Sequence, residues 1–334
     1  MVKIKSARVV GTGSIGARYL RLLAALTQHQ PIAVPIGGAL RDSGLAEAVT
    51  LEGLGDLGRP HVDLCIIASS TERHLEDYNR FRDSADLVLI EKPLASSIHA
   101  LSSFDISCPA TEVAVASPLR FTEGFGVVQA HIESLGTITG VDVECRSWLP
   151  AWRPGTDFRT SYSADATHGG VLLDLVHEID YCLQLFGPPA ELSATLSHDS
   201  VLGIASESTA HLLWRFGAYD LRMVLDYVSR PLSRSLTVYG TLRSLRWDLL
   251  EASVELWDHN DGTTEVFAFP DDLDRDLILA HQIVATTERG NDPRVSSVAQ
   301  AWQAVAVCDL AKESSRQSGV MLDARTALAV TDAR

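Results

Sequence analysis

The sequence is short of the features that mark several specialised protein classes. It has no Cys-x-x-Cys pair: its five cysteines, Cys65, Cys108, Cys145, Cys182 and Cys308, are scattered and odd in number. That argues against a disulfide framework or a structural zinc site and fits reduced thiols used as small apolar residues. No metal is expected. No run of about eighteen uncharged apolar residues occurs, as a membrane helix would need. The opening "MVKIKSARVVGTG" has no apolar segment of signal-peptide length, so a cytoplasmic protein is the expectation. Basic residues are scarce, with 28 Lys and Arg against 43 Asp and Glu and a formal net charge of −15. Nucleic acid and anionic membranes bind basic surfaces that displace counterions, so neither is an expected partner. A phosphate-bearing ligand has to be held by local positive potential.

What remains is an ordinary globular composition, 46% hydrophobic and 21% charged over 334 residues, long enough for two domains with separate cores. In the first third, short apolar strands alternate with helices: "ARVVG", "SIGARYLRLLAALTQH", "IAVPIGG", "VDLCIIAS", "ERHLEDYNRFRD", "DLVLIE" and "EVAVAS". Continuous apolar strands between helices predict a parallel sheet covered on both faces, a doubly wound Rossmann-type α/β domain over residues 1–118. Beyond it, over residues 119–334, the strands turn period-two ("STAHLLWRF", "YDLRMVLDYV", "SVELWDH", "TTEVFAF") and two helical stretches close the chain. This predicts a second α/β domain on a large, mostly antiparallel sheet. A helix would cover one face, leaving an apolar face free to meet a second copy, as a dimer or tetramer.

The sharpest local motif is "VVGTGSIG", which puts Gly11, Gly13 and Gly16 in G-x-G-x-x-G spacing between the first strand and the first helix. The first glycine makes a tight turn, the second admits a pyrophosphate to the backbone, and the third lets helix and strand approach. The N–H groups around Ser14 and Ile15 at the helix start supply the local positive potential. A dinucleotide, NAD or NADP, is the expected cofactor. No acidic residue stands about twenty positions on to take a ribose diol, as NAD sites commonly provide. Slightly beyond lie Arg41, suited to the 2′-phosphate of NADP, and Asp42, suited to the diol of NAD.

A second motif, "LVLIEKPLA", delivers Glu91 and Lys92 at the carboxyl end of a buried strand, the edge where open α/β sheets hold ligands. Pro93 restricts Lys92 to extended backbone. The third is "GGVLLDLVHEIDY", residues 169–181. Read as one helix at about 100° per residue, it gathers Asp174, His177, Glu178 and Tyr181 on one face and apolar residues on the other. With no Lys or Arg nearby in sequence, that face is poorly balanced for a solvated surface, which makes Asp174 and His177 candidates for chemistry.

Together "GTGSIG", "EKP" and "GG…D…H" resemble the Gfo/Idh/MocA family of sugar and cyclitol oxidoreductases, and the resemblance runs over nearly the whole chain. It implies hydride transfer between NAD or NADP and a secondary carbon of a sugar, cyclitol or nucleotide-sugar-like polyol. Lys92, Asp174 and His177 would be the catalytic trio: His177 takes or returns the proton, Lys92 assists, and Asp174 orients the imidazole or binds a hydroxyl. It also implies cofactor contacts from Ser69, Ser70, Glu91 and Lys92, with Ser70 standing where the family often has proline. Arg120, in "SPLRF", joins the implied substrate residues. The "DLVH" spacing is one residue shorter than in much of the family, and His168 replaces a usual glycine, where it reads better as a helix cap than as a site residue. The loop of residues 148–165 offers Trp152, Arg153 and Tyr162 for a sugar face or an acidic group, or equally for packing. Two further readings share this resemblance or its cofactor: a glycoside hydrolase or epimerase with tightly bound NAD, and a non-catalytic dinucleotide-sensing protein.

Overall fold

A computed structural model describes residues 4–37, 40, 42–56, 58–101, 111–198, 201–288 and 292–329. Arg41, one of the two residues weighed for the ribose, and Cys108 lie outside them. Contacts divide the chain into two compact units, Met1–Pro118 with Asp276–Trp302, and Leu119–Arg275 with Gln303–Val330.

The first unit holds a seven-stranded sheet of β1 (Ala7–Val10), β2 (Ile32–Val34), β3 (Thr50–Leu51), β4 (Val62–Ile67), β5 (Ala85–Ile90), β6 (Glu112–Val115) and β15 (Ser296–Ser297). The order β15-β6-β5-β4-β1-β2-β3 is the doubly wound arrangement, parallel except for the antiparallel edge strand β15. The apolar runs "VDLCII" and "ADLVLI" are almost wholly buried because helices leave neither face to solvent. α1 (Ser14–Leu26) lays Ala17, Leu20 and Leu23 on the core, and α2 (His74–Phe81) adds Leu75 and Phe81. A short α3 (Ile98–Leu101) follows β5.

Residues 276–302, assigned from the sequence to the second domain, group with the first unit instead. On α7 (Arg275–Thr287), Leu279 and Ile283 enter the core formed by Val9, Leu20 and Ile66. Burying each such side chain contributes roughly 1.5–3 kcal/mol, which outweighs sequence proximity to the second domain.

The second unit is built on nine strands in the order β14-β13-β12-β11-β7-β10-β9-β8-β16. They are β7 (Ile138–Trp148), β8 (Glu191–Ser197), β9 (Thr209–Arg215), β10 (Asp220–Asp226), β11 (Val228–Gly240), β12 (Arg243–Asp248), β13 (Ser253–Asp258), β14 (Thr264–Ala268) and β16 (Leu322–Asp323). Every neighbouring pair is antiparallel except β7 with β10. One face buries Val141, Val143, Leu221, Met223, Leu236, Trp214 and Trp247. α4 (Glu123–His131) starts at a Thr122 cap, and the Asp272 carboxylate accepts from the backbone N–H groups of Glu123 and Gly124. α8 (Val298–Arg316) carries the chain from the first unit's residues into the second's.

The other sheet face is not the apolar surface expected from the strand pattern. Its register lines up Arg222, Asp142, Thr237, Arg246 and Glu255 across five strands. Arg222 pairs with Asp142 at 2.7 Å, and Arg146 with Glu144 and Asp226 at 3.1 and 3.0 Å.

The single helix expected over 169–181 is also corrected. It is two helices, α5 (Val171–Asp174) and α6 (Val176–Phe186), interrupted at Leu175, whose φ −96° and ψ 27° leave the helical region. A helical wheel drawn across the whole stretch therefore loses its phase at Leu175.

Candidate active site

In the first unit, the strand order reverses between β1 and β4, the place where open α/β sheets bind ligands beyond the carboxyl ends of the strands. Gly11 follows β1 there at φ +90°, and a Cβ on it would sit 2.6 Å from the Ala68 carbonyl oxygen and the Ser69 nitrogen. Gly16 is equally confined, since a Cβ would overlap the Gly11 carbonyl oxygen. Gly13 differs: a Cβ there would meet nothing within 4 Å. Two glycines are therefore required by packing, and the third keeps an approach to the backbone open at the start of α1. The Ser69 hydroxyl is buried and has no partner among the described residues. An open glycine, a helix N-terminus with Ser14 and Ile15 in its first turn, and an unpartnered hydroxyl all fit the diphosphate of a dinucleotide.

Other residues expected on the cofactor are engaged elsewhere. The Glu91 carboxylate turns inward, accepting from the Tyr19 hydroxyl at 2.6 Å and from the Lys92 backbone N–H at 3.1 Å. Burial, and then the Glu91 charge, raise the Tyr19 pKa well above its usual value. The Gln282 amide donates to the Tyr19 hydroxyl at 3.3 Å, and its oxygen accepts from the Ser117 N–H at 2.9 Å. Ser70 donates to Glu72 at 2.6 Å. Asp42 caps a short turn through the Gly44 N–H and pairs with Arg21 at 2.8 Å, an arginine of α1 that the sequence reading did not weigh.

Lys92 is half-buried, and the Lys92–Pro93 bond is cis. His74, buried on α2, spans the segment on either side: its Nδ1 lies 2.9 Å from the Pro93 carbonyl oxygen and its Nε2 3.1 Å from that of Ser69. Burial lowers the His74 pKa. Tyr19 and His74 thus hold the residues before and after Lys92.

In the second unit, Asp174 is 5% exposed at the end of α5 and accepts from the Tyr227 hydroxyl at 2.5 Å. Tyr162, itself 42% exposed, lies beside the same carboxylate; both phenols have raised pKa values, with desolvation of the hydroxyl first and the Asp174 charge second, and only Tyr227 is buried as a whole residue. Around them, Trp152 meets the Tyr227 ring edge-on at 5.3 Å, and the Arg153 guanidinium lies 5.6 Å from the Tyr162 ring centre. The loop of residues 148–165 thus brings Trp152, Arg153 and Tyr162 to Asp174. His177 is half-buried in the first turn of α6.

The carboxylates that looked unbalanced in sequence are matched by distant arginines. Glu178, fully buried, accepts from Arg234 Nε at 2.6 Å. Asp180 accepts from Arg120 at 2.8 and 2.7 Å. Arg120, expected to contact substrate, is 1% exposed and also donates to Gln184; it is a structural clamp. His168 does not cap α5 either. It pairs with Asp165 at 3.2 Å, while the cap is Gly170 at φ +97°, where a Cβ would overlap the buried Glu207 carboxylate.

Residues 129–246, which include Asp174, His177 and Tyr227, match the model of the GFO/IDH/MocA C-terminal domain. No curated protein matches the chain in sequence. Among solved structures it is similar to a levoglucosan dehydrogenase in complex with NADH and levoglucosan, with TM-score 0.79 and 17% identity over 96% of this chain and 99% of that one. It is similar also to an inositol dehydrogenase homologue complexed with NAD+ from Azotobacter vinelandii, with TM-score 0.79 and 16% identity over 97% and 98% of the two chains. A third is an oxidoreductase from Agrobacterium radiobacter in complex with NAD+, L-tartaric acid and magnesium, with TM-score 0.77 and 16% identity over 96% and 98%. At these identities the likeness is one of fold. Among the described residues, no helix is long and apolar enough to cross a membrane.

The sequence reading missed Tyr19, His74, Glu207 and Tyr227. Tyr19 carried a local signal, a polar-tipped ring beside the buried positions Leu20 and Leu23 of an amphipathic helix. Tyr227 carried little, since it sits in a strand-like run and its partner is 53 residues away.

Proposed function

We propose that the protein is an NAD- or NADP-dependent oxidoreductase that interconverts a secondary alcohol and a ketone on a sugar, cyclitol or related polyol. The observation that carries this reading is the glycine turn of the first unit, closed by packing at Gly11 and Gly16 and open at Gly13, where a diphosphate can reach backbone N–H groups. The match of residues 129–246 to the GFO/IDH/MocA C-terminal domain and the NAD-bound structures of the same fold support it. Bound nicotinamide supplies hydride transfer.

The chain's own residues handle the rest. His177 is the acid/base, because an imidazole can exchange the alcohol proton near neutral pH. Lys92, with Glu91 held by Tyr19 and Pro93 by His74, presents an ammonium that stabilises negative charge growing on the substrate oxygen. Asp174, with Tyr227 donating to it, binds a neighbouring hydroxyl and fixes the position of the reacting carbon. Sugar rings meet Trp152 and Tyr162.

Thermal unfolding with and without NADH or NADPH tests the reading first: a ligand of the native state at 100 times its Kd adds about 2.7 kcal/mol. A polyol panel followed at the NAD(P)H absorbance tests it second. Absence of any melting shift with both cofactors overturns the reading. Cofactor retained through purification, with substrate converted and no net NAD(P)H change, favours the hydrolase or epimerase instead.

A further inference from the structure

The substrate surface proposed above draws Tyr162, Asp174 and Tyr227 from three separate segments, and one further segment is bonded to all of them. Between β8 and β9, Ser206, Glu207 and Ser208 are 1%, 4% and 0% exposed. Consecutive polar residues are costly to bury unless each is hydrogen-bonded, so their partners define the role of the segment.

Ser206 reaches the Tyr162 loop. Its hydroxyl donates to the Ser163 carbonyl at 2.6 Å, and the neighbouring Ala205 N–H donates to the Ala164 carbonyl at 3.3 Å. Glu207 holds the start of α5: its carbonyl accepts from the Val171 N–H at 3.1 Å, and its side-chain Oε1 accepts from the Leu172 N–H at 3.4 Å. The same carboxylate lies so close over Gly170 that a Cβ there would overlap it. Ser208 takes the third segment, its carbonyl accepting from the Tyr227 N–H at 2.9 Å, while its own N–H donates to the Ser197 carbonyl of β8 at 2.8 Å.

α5 depends on such support. It spans only Val171–Asp174, too short to be stable alone, and the first N–H groups of a helix have no partner inside it. Glu207 supplies acceptors for two of them. The break at Leu175 separates α5 from α6, so the place of Asp174 follows from Glu207 at one end of α5 and the Tyr227 hydroxyl at the other.

We propose that Glu207 is a positioning residue for substrate: with Ser206 it fixes Asp174 against Tyr162 and Tyr227, and so sets the geometry in which the hydroxyls of a polyol are bound, without itself meeting the polyol. This rests on the reading of the Asp174 cluster as the substrate side of an oxidoreductase.

The test joins steady-state kinetics of the full-length enzyme to hydrogen exchange followed by mass spectrometry. Kinetics use whichever of D-glucose, D-galactose, D-glucitol and myo-inositol is turned over fastest, with saturating NAD+ or NADP+. Glu207→Ala should raise KM about tenfold and change kcat by about threefold or less, because displaced binding groups lose affinity for the bound polyol. Glu207→Gln, which keeps an oxygen for the Leu172 N–H, should stay within about threefold of the parent in KM. A purely structural role would instead reduce the active fraction, lowering kcat at unchanged KM. In exchange, peptides covering residues 160–176 should open about tenfold faster in Glu207→Ala, while those covering β11 and β12 match the parent. Ser206→Ala should loosen the same peptides and raise KM about threefold, and it carries the test if Glu207→Ala does not fold. Unchanged KM in the folded variants, unchanged exchange over residues 160–176, or exchange that rises equally in β11 and β12 overturns the proposal. If none of these polyols is turned over, the exchange comparison decides alone, and the melting shift with NADH or NADPH reports separately on the oxidoreductase reading.

Discussion

The two units build their polar sites in opposite ways. In the first, the proposed cofactor surface is mostly backbone: glycines at the end of β1, N–H groups at the start of α1, and the strand ends of β4 and β5. In the second, the proposed substrate surface is made of side chains from separate segments, with Trp152 and Tyr162 on one loop, Asp174 on α5 and Tyr227 after β10. The difference teaches that backbone sites depend on a few residues close in sequence, whereas side-chain sites depend on which distant segments the fold brings together.

The largest expected effect separates chemistry from both kinds of scaffold. His177→Ala should lower kcat by roughly 10²–10⁴-fold while the melting shift with NADH persists, because general acid–base groups contribute on that scale. An unchanged kcat would remove His177 from the proton path.

Next is the claim that the second unit's charges are internal. Arg120→Ala should cost about 3–5 kcal/mol in urea unfolding, since Asp180 would be left buried without its partner. If the variant unfolds like the parent and turnover alone suffers, Arg120 belongs with the substrate after all.

The backbone site can be tested by comparing two glycines. Gly16→Ala should destabilise the protein by about 3 kcal/mol, because its Cβ meets a carbonyl oxygen that cannot move away. Gly13→Ala should leave stability within ~0.5 kcal/mol and raise the NADH Kd about tenfold, equivalent to ~1.4 kcal/mol. Equal stability losses at the two positions would mean that Gly13 is a packing glycine too.

A smaller effect is expected at Tyr227→Phe. Loss of the hydroxyl deprives buried Asp174 of a donor, costing roughly 1–3 kcal/mol by chemical denaturation. A variant as stable as the parent would break the link between the two residues.

The smallest test is one of pH. Burial raises the pKa of Glu207, which sits against Gly170. Folding therefore favours its protonated form, so this contribution is complete below the ordinary carboxylate range and is lost as pH rises through the raised value. Glu207→Gln should flatten that limb of the stability profile. His74, whose pKa burial lowers, acts with the opposite sign: its contribution is present above the usual histidine range and is lost as pH falls toward the lowered value.

Short-range order was legible because it depends on neighbours in the chain. The apolar runs of β4 and β5, the glycine spacing after β1 and the period-two strands of the second unit each follow from local burial and backbone rules. The glycine pattern even anticipated which position stays open. Misreadings arose where the deciding partner is remote. Arg120 and Glu91 are ionic or polar side chains whose type suits a ligand site, and only Asp180, 60 residues away, and Tyr19, 72 residues away, reveal that they are engaged. The acidic face of residues 169–181 looked unbalanced for the same reason, since Arg234 and Arg120 lie outside the stretch.

By itself, then, the sequence determined two α/β units, a dinucleotide turn and a short set of candidate groups in which Lys92, Asp174 and His177 stand out. Tertiary structure alone decided that α7 belongs to the first core, that Leu175 breaks the helix between Asp174 and His177, and that Tyr227 donates to Asp174. The physical reason is range: helix and strand periodicity and glycine turns are set within a few residues, while the state of a buried charge is set by whichever atoms the fold places within about 3 Å of it.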